Sequence, residues 1–196
     1  MNAREVADML ENVGLFEQFC GTWVRNLQSD DVARLLGADA SSVTLHTMHE
    51  LNAERWRVPG DQPILLIGPI GDAHTLVVEP QSYLGAEPNR LRSLSSGGGQ
   101  AMNIHWTVNL DSGVTLARDG VIVTALSLTA PHLDREGIDP AHLDHDLQVA
   151  GLTTGQNFDE RVAVAFTVAG RLSGTTLDDE WFGIPQRRYL AARRRR

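Results

Sequence analysis

The segment "PILLIGPIGDAHTLVVEP", residues 63–80, sets two apolar runs on either side of Gly71-Asp72 and reads as a hairpin. On its C-terminal side, "EPNRLRSLSSGGG" predicts a short helix begun near Pro88 and stopped by three glycines. The segments "QAMNIHWTVNL", "VTLARDG" and "VIVTALSL" then read as strands, the last two joined by Asp119-Gly120, a strong hairpin signal. On the N-terminal side, "FEQFCGTWVRNL" fits helical spacing in part, but Gly21, Thr22 and Val24 favour a strand from Phe19 to Leu27. Residues 41–57 stay open: Leu45, Met48 and Asn52 would align on a helix, whereas "VTLHTMH" alternates as a strand does.

Helices are expected outside this region. Residues 3–13 place Val6, Met9, Leu10 and Val13 on one face, and "SDDVARLLGAD" is capped by Ser29 and ended by Gly37. After Thr129, Asp139 caps a helix with Pro140 at its first position and Leu143, Leu147 and Ala150 as its buried stripe. "FDERVAVAFTVAGRLSG" is a longer helix, and "TLDDEWFG" one capped turn or two. The expected fold is α+β: an antiparallel sheet of about five to six strands in the middle, with helices at the N-terminus and in the C-terminal third. Residues 1–186 are expected to form a single domain and 187–196 an Arg-rich tail, so that a chain ending at residue 186 melts like the full one.

The motifs "TWVRNL…VARLLGAD", "LVVEPQSYLG", "RLRSLSSG", "HWTVN" and "DGVIVTAL", followed by a helical C-terminal third, resemble an uncharacterised actinobacterial family of unknown function. The resemblance spans most of residues 15–182. It implies a single domain in a bacterial cytosol and assigns no catalytic residue.

All seventeen basic residues are arginine. This pattern is expected of a GC-rich genome, and it removes Schiff-base enzymes, phosphate-binding P-loops and kinase-type chemistry, which need a lysine amine. Cys20 is the only cysteine, which excludes an internal disulfide and a cysteine-based zinc cage. No apolar run reaches the length of a membrane span, and the first residues lack the basic start of a signal peptide, so a cytoplasmic protein is expected. Residues 1–186 hold eleven arginines against twenty-five acids, a net of −14, while the last ten residues carry six arginines and no acid. An acidic body favours a basic protein partner and repels nucleic acid, for which only the tail is suited.

"PHLDREGIDPAHLDHD", residues 131–146, is the densest run of titratable groups. On a helix, His142, His145 and Asp146 share a face and are candidate metal ligands, but that face lies opposite the leucines and should meet water. No metal and no cofactor is therefore expected. His46 and His49 could chelate on a helix but not on a strand. In "NIHWTVN", Ile104, Trp106 and Val108 should face the core, leaving Asn103, His105, Thr107 and Asn109 as a polar row on a solvated sheet face. With Glu79 nearby, His105 would form an acid–base pair, the candidate catalytic residues. Gly97 to Gly99 could offer backbone N–H groups to an anion, or merely connect two elements. Trp181, Phe182 and Tyr189, with Arg187, Arg188, Arg193, Arg194, Arg195 and Arg196, are the candidate partner-binding residues, against the simpler reading that Trp181 and Phe182 dock the last turn on the core. The function expected is a non-catalytic binding or interaction protein, an adaptor or neutralising partner. A metal-assisted or His/Glu acid–base hydrolase is the alternative, and weak nucleic-acid binding through the arginine tail a third.

Overall fold

The structure, a computed structural model, describes residues 1–55, 57–59, 62–133 and 135–192. In chain order its elements are α1 (Ala3–Asn12), β1 (Phe19–Arg25), α2 (Ser29–Leu35), β2 (Ala38–His46), α3 (Met48–Glu54), β3 (Ile64–Ile70), β4 (His74–Val78), a 3-10 turn (Leu84–Ala86), α4 (Pro88–Leu94), β5 (Gln100–Trp106), β6 (Ser112–Arg118), β7 (Val121–Leu126), α5 (Asp144–Val149), α6 (Phe158–Ser173), α7 (Asp179–Gly183) and β8 (Gln186–Ala191). One antiparallel sheet runs in the order β2-β8-β3-β4-β1-β5-β6-β7.

The α+β class is as expected, but the sheet has eight strands, not five to six. The two additional strands lie where local pattern misleads. β2 carries a bulge between Asp39 and Thr44 that breaks its alternation. β8, "QRRYLA", hides behind its arginines, yet it fills the gap between β2 and β3. Its two guanidiniums are met from opposite faces of the sheet: Arg187 reaches Asp30 of α2 at 2.5 Å, and Arg188 is paired with Glu54 of α3. The expected tail boundary is therefore corrected: residues 187–191 belong to the sheet. Arg193 to Arg196 lie outside the described residues.

Both faces of the sheet are covered. On the larger side, Phe19, Trp23, Ile104, Trp106, Leu66 and Leu76 pack with residues of α1, α3, α6 and α7. Phe19 stacks on Trp106 with ring centroids 4.9 Å apart, and Phe166 of α6 closes on Phe19 at 5.2 Å. On the smaller side, Val24, Leu65, Ile67, Val77, Ala101 and Tyr189 meet Val32 of α2, Leu84, and Leu91 and Leu94 of α4. Central strands such as β1 are consequently apolar on both faces, "FCGTWV" being buried throughout.

This double cover corrects the expected solvated polar row. Trp106 does turn into the large core at 3% exposure, with His105 on the opposite side, but Asn103 beside it is fully buried and β5 ends at Trp106. Thr107 and Asn109 lie in the turn that follows, where the Thr107 N–H donates to Asp111 O, and Val108 is exposed rather than core. The helix expected from Pro140 starts later, at Asp144, because turn hydrogen bonds from His142 N–H to Asp139 O and from Asp144 N–H to Ala141 O occupy residues 139–144. The expected Ser29 cap of α2 is also corrected: Ser29 is the first helical residue, and Gln28 at the cap position makes no side-chain cap bond, whereas Asn2 with Glu5, and Asn157 with Glu160, form capping boxes on α1 and α6.

Candidate binding groove and the buried polar network

The sheet register brings four chemistry-bearing side chains to one face. Cys20 of β1 stands opposite His105 of β5, and Glu79 follows β4 with its N–H donating to Cys20 O at 2.9 Å. The Glu79 carboxylate accepts from Leu84 N–H (2.8 Å), Gly85 N–H (2.6 Å), the Ser82 hydroxyl (2.6 Å) and the Cys20 thiol (3.5 Å). Glycine is required at position 85, since a Cβ there would sit 2.1 Å from Thr22 Oγ1. The Asn103 Nδ2 group donates to Thr22 Oγ1 (2.9 Å), Gly21 O (3.2 Å) and Cys20 Sγ (3.4 Å), which leaves Oδ1 to accept from His105 Nδ1–H at 2.9 Å. That assignment fixes the tautomer of His105, whose Nε2 then carries the free lone pair.

The electrostatics follow from enclosure. Burial, with the Glu79 carboxylate second, pushes the Cys20 thiol well above its usual pKa, so it is a protonated donor and not a nucleophile. Burial also raises Glu79, against the opposing pull of its four donors, and lowers His105, against the nearby carboxylate of Asp111. The expected His105–Glu79 acid–base pair does not form, because Cys20 and Asn103 stand between the two groups. The network joins β1, β4 and β5 to the 82–86 turn.

The other expected sites disperse. Trp181 and Phe182 are buried edge to face at 5.3 Å, and Trp181 Nε1 donates to Pro69 O at 2.9 Å. Tyr189 is 2% exposed with its hydroxyl donating to Asp30 at 2.5 Å, and Arg188 is buried beside Glu54. Arg187, Arg188 and Tyr189 thus belong to a strand inside the sheet, with each guanidinium and hydroxyl matched by an acid from a covering helix, and Trp181 and Phe182 pack in the core as the simpler reading had it. His142 pairs with Asp139 at 3.1 Å in the turn before α5, while His145 and Asp146 lie on the helix itself, His145 being exposed. His46 ends β2 and contacts Glu54 at 3.3 Å, whereas His49 belongs to α3. Among the described residues no three His, Cys, Asp or Glu side chains are grouped to hold a metal ion. In the glycine run, Gly98 N–H is taken by Asp119 Oδ1 at 3.0 Å, so the hairpin's own carboxylate fills the role of the anion.

Two open cavities lie elsewhere, on either side of the β3–β4 turn. The β1–α2 loop is tied to this turn by Asn26 N–H to Ala73 O (2.8 Å) and Thr75 Oγ1 to Leu27 O (2.6 Å). Between loop, turn and β8 runs a groove of about 780 Å³ lined by Ser29, Asp30, Asp72, His74, Thr75 and Arg187, among others. On the other side of the turn a cleft of about 450 Å³ is lined by Arg25, Asp72, His74, Arg171 and Thr175, among others. Sequence reading missed this region, since it is assembled from a loop, a hairpin tip, a helix end and the unrecognised β8. No local motif announces it.

Fold and cavities together define a class: an α+β protein with one antiparallel sheet covered on both faces, an enclosed polar network and an open groove at one end of the sheet. Residues 7–186 match the family described as "Family of unknown function (DUF6461)", and the chain belongs to that family. No curated protein and no solved structure matches it.

Proposed function

We propose that the protein is a non-catalytic bacterial binding protein that receives a basic partner protein in the groove beside the β3–β4 turn. One observation carries this reading: Glu79, Cys20 and Asn103 are held in a closed hydrogen-bonded network, whereas a groove of about 780 Å³ is open and presents the exposed carboxylates of Asp30 and Asp72. Asp30 is already matched by Arg187, but Asp72 has no ion pair among the described residues. Overall charge favours the same partner, since residues 1–192 hold thirteen arginines (seventeen less four) against twenty-five acids, a net of −12. A cytoplasmic, actinobacterial setting fits the lysine-free composition, and among the described residues no helix is long and apolar enough to cross a membrane.

The alternative, an acid–base hydrolase, retains only the free Nε2 of His105 in its favour. Nucleic-acid binding would rest on Arg193 to Arg196 alone, against an acidic body. The test is capture of a partner from the native host, followed by titration of the purified partner. Asp72→Arg combined with Ser29→Arg should weaken binding about tenfold or more, while His105→Ala leaves it unchanged. A partner indifferent to the groove variant, or a hydrolytic activity lost with His105, would overturn the proposal.

A further inference from the structure

A second site stands on the opposite side of the same turn and does not depend on the protein-partner reading. His74, the first residue of β4, is 9% exposed, and both its ring nitrogens are enclosed without a hydrogen-bond partner. A buried imidazole with neither nitrogen satisfied is costly, and such a group in a native fold asks for a ligand or a function. His74 lines the cleft of about 450 Å³, with Arg25 directly opposite it in the β1–β4 register and Arg171 on the last turn of α6. Both arginines are exposed, and neither is in an ion pair among the described residues, where most other guanidiniums of the fold have an acid or a carbonyl.

We propose that this cleft binds a small phosphate ester, its phosphate held by the guanidiniums of Arg25 and Arg171 and by a ring N–H of His74, whose imidazole turns from its enclosed position to meet the ligand. Planar guanidiniums from two separate elements suit a tetrahedral dianion, which offers oxygens in several directions, better than a single carboxylate. The cleft is several times larger than a phosphate ion, leaving room for the rest of an ester. Two features oppose an anion: the Asp72 carboxylate at the rim, and the carbonyl end of α6, worth about half a negative charge. Two full positive charges outweigh these at contact distance, and the acidic groups elsewhere are screened beyond about 10 Å.

The test uses the full chain with inorganic phosphate and glycerol phosphate as probes, following the His74 ring signals by imidazole nuclear magnetic resonance. The signals are identified by their loss in His74→Gln. Saturable shifts are expected with both probes, and glycerol phosphate should bind at least as tightly as the free ion; an order reversed would restrict the site to free phosphate and overturn the ester. Arg25→Gln with Arg171→Gln should weaken binding about tenfold or more, and Asp72→Asn should tighten it. Shifts no larger than those produced by chloride at equal ionic strength would overturn the proposal. So would unchanged phosphate affinity in the arginine double variant. If that variant fails to fold, Asp72→Asn decides, because a site of this kind cannot be indifferent to its one opposing charge.

Discussion

At the scale of single residues, Glu79 carries most of the enclosed network. Its carboxylate satisfies two backbone N–H groups, of Leu84 and Gly85, that have no route to water once the 3-10 turn is packed. Glu79→Ala leaves both donors unpaired and opens a void, so a loss of about 3 kcal/mol is expected in urea unfolding. A loss under about 0.5 kcal/mol, the level of a surface site, would remove the network from this account. His105 gives a pH test. Its folded pKa is lowered by burial, so the unfolded chain binds the proton more readily, and this residue's contribution is present above about pH 6.5 and lost as pH falls. Glu79 is raised and works in the opposite direction above its ordinary range, so the comparison must be made between variants. His105→Gln should lose less stability than the parent between pH 8 and about pH 5.5. Equal losses would place His105 in an environment that tolerates charge. Part of this was legible in the sequence: the alternation of "NIHWTVN" separates Trp106 from His105. The burial of Asn103 was not, because a strand pattern says which face a residue takes but not what covers that face.

At the scale of elements, turns and caps speak plainly and edges do not. Asp119 and Gly120 adopt the positive φ values, 46° and 77°, that their hairpin requires, whereas α4 ends at Leu94 with Ser95 as its cap, before the three glycines are reached. α5 begins late because Pro140 sits in a run of tight turns that residue preferences do not distinguish from a first helical turn. β8 is the instructive failure: "RRYLAARRRR" reads as a solvated arm, since its neutralising acids, Asp30 and Glu54, lie more than a hundred residues away in sequence. The expectation for truncation therefore reverses. A chain ending at residue 186 loses most of the strand between β2 and β3, together with buried Tyr189 and Ala191 and both ion pairs. Against a net stability of about 5–15 kcal/mol for a domain, that loss should abolish the cooperative thermal transition. A truncated protein that melts like the parent would show β8 to be dispensable.

At the scale of the whole molecule, the arrangement separates structure from recognition. His105, Cys20 and the buried Glu79 at mid-sheet are occupied in holding β1, β4 and β5 to the covering turn, and the groove and cleft with their open polar groups flank the β3–β4 turn. Composition conveys the acidic character and the missing lysine chemistry, but it cannot place the groove, which exists only once β8 has paired. The most direct measurement is hydrogen–deuterium exchange of the full chain with and without its captured partner. Slowed exchange in residues 26–30 and 71–75 is predicted, with the 82–86 turn and residues 142–146 unchanged. Protection confined to residues 105–111 or 142–146, with the groove segments unaffected, would contradict the account.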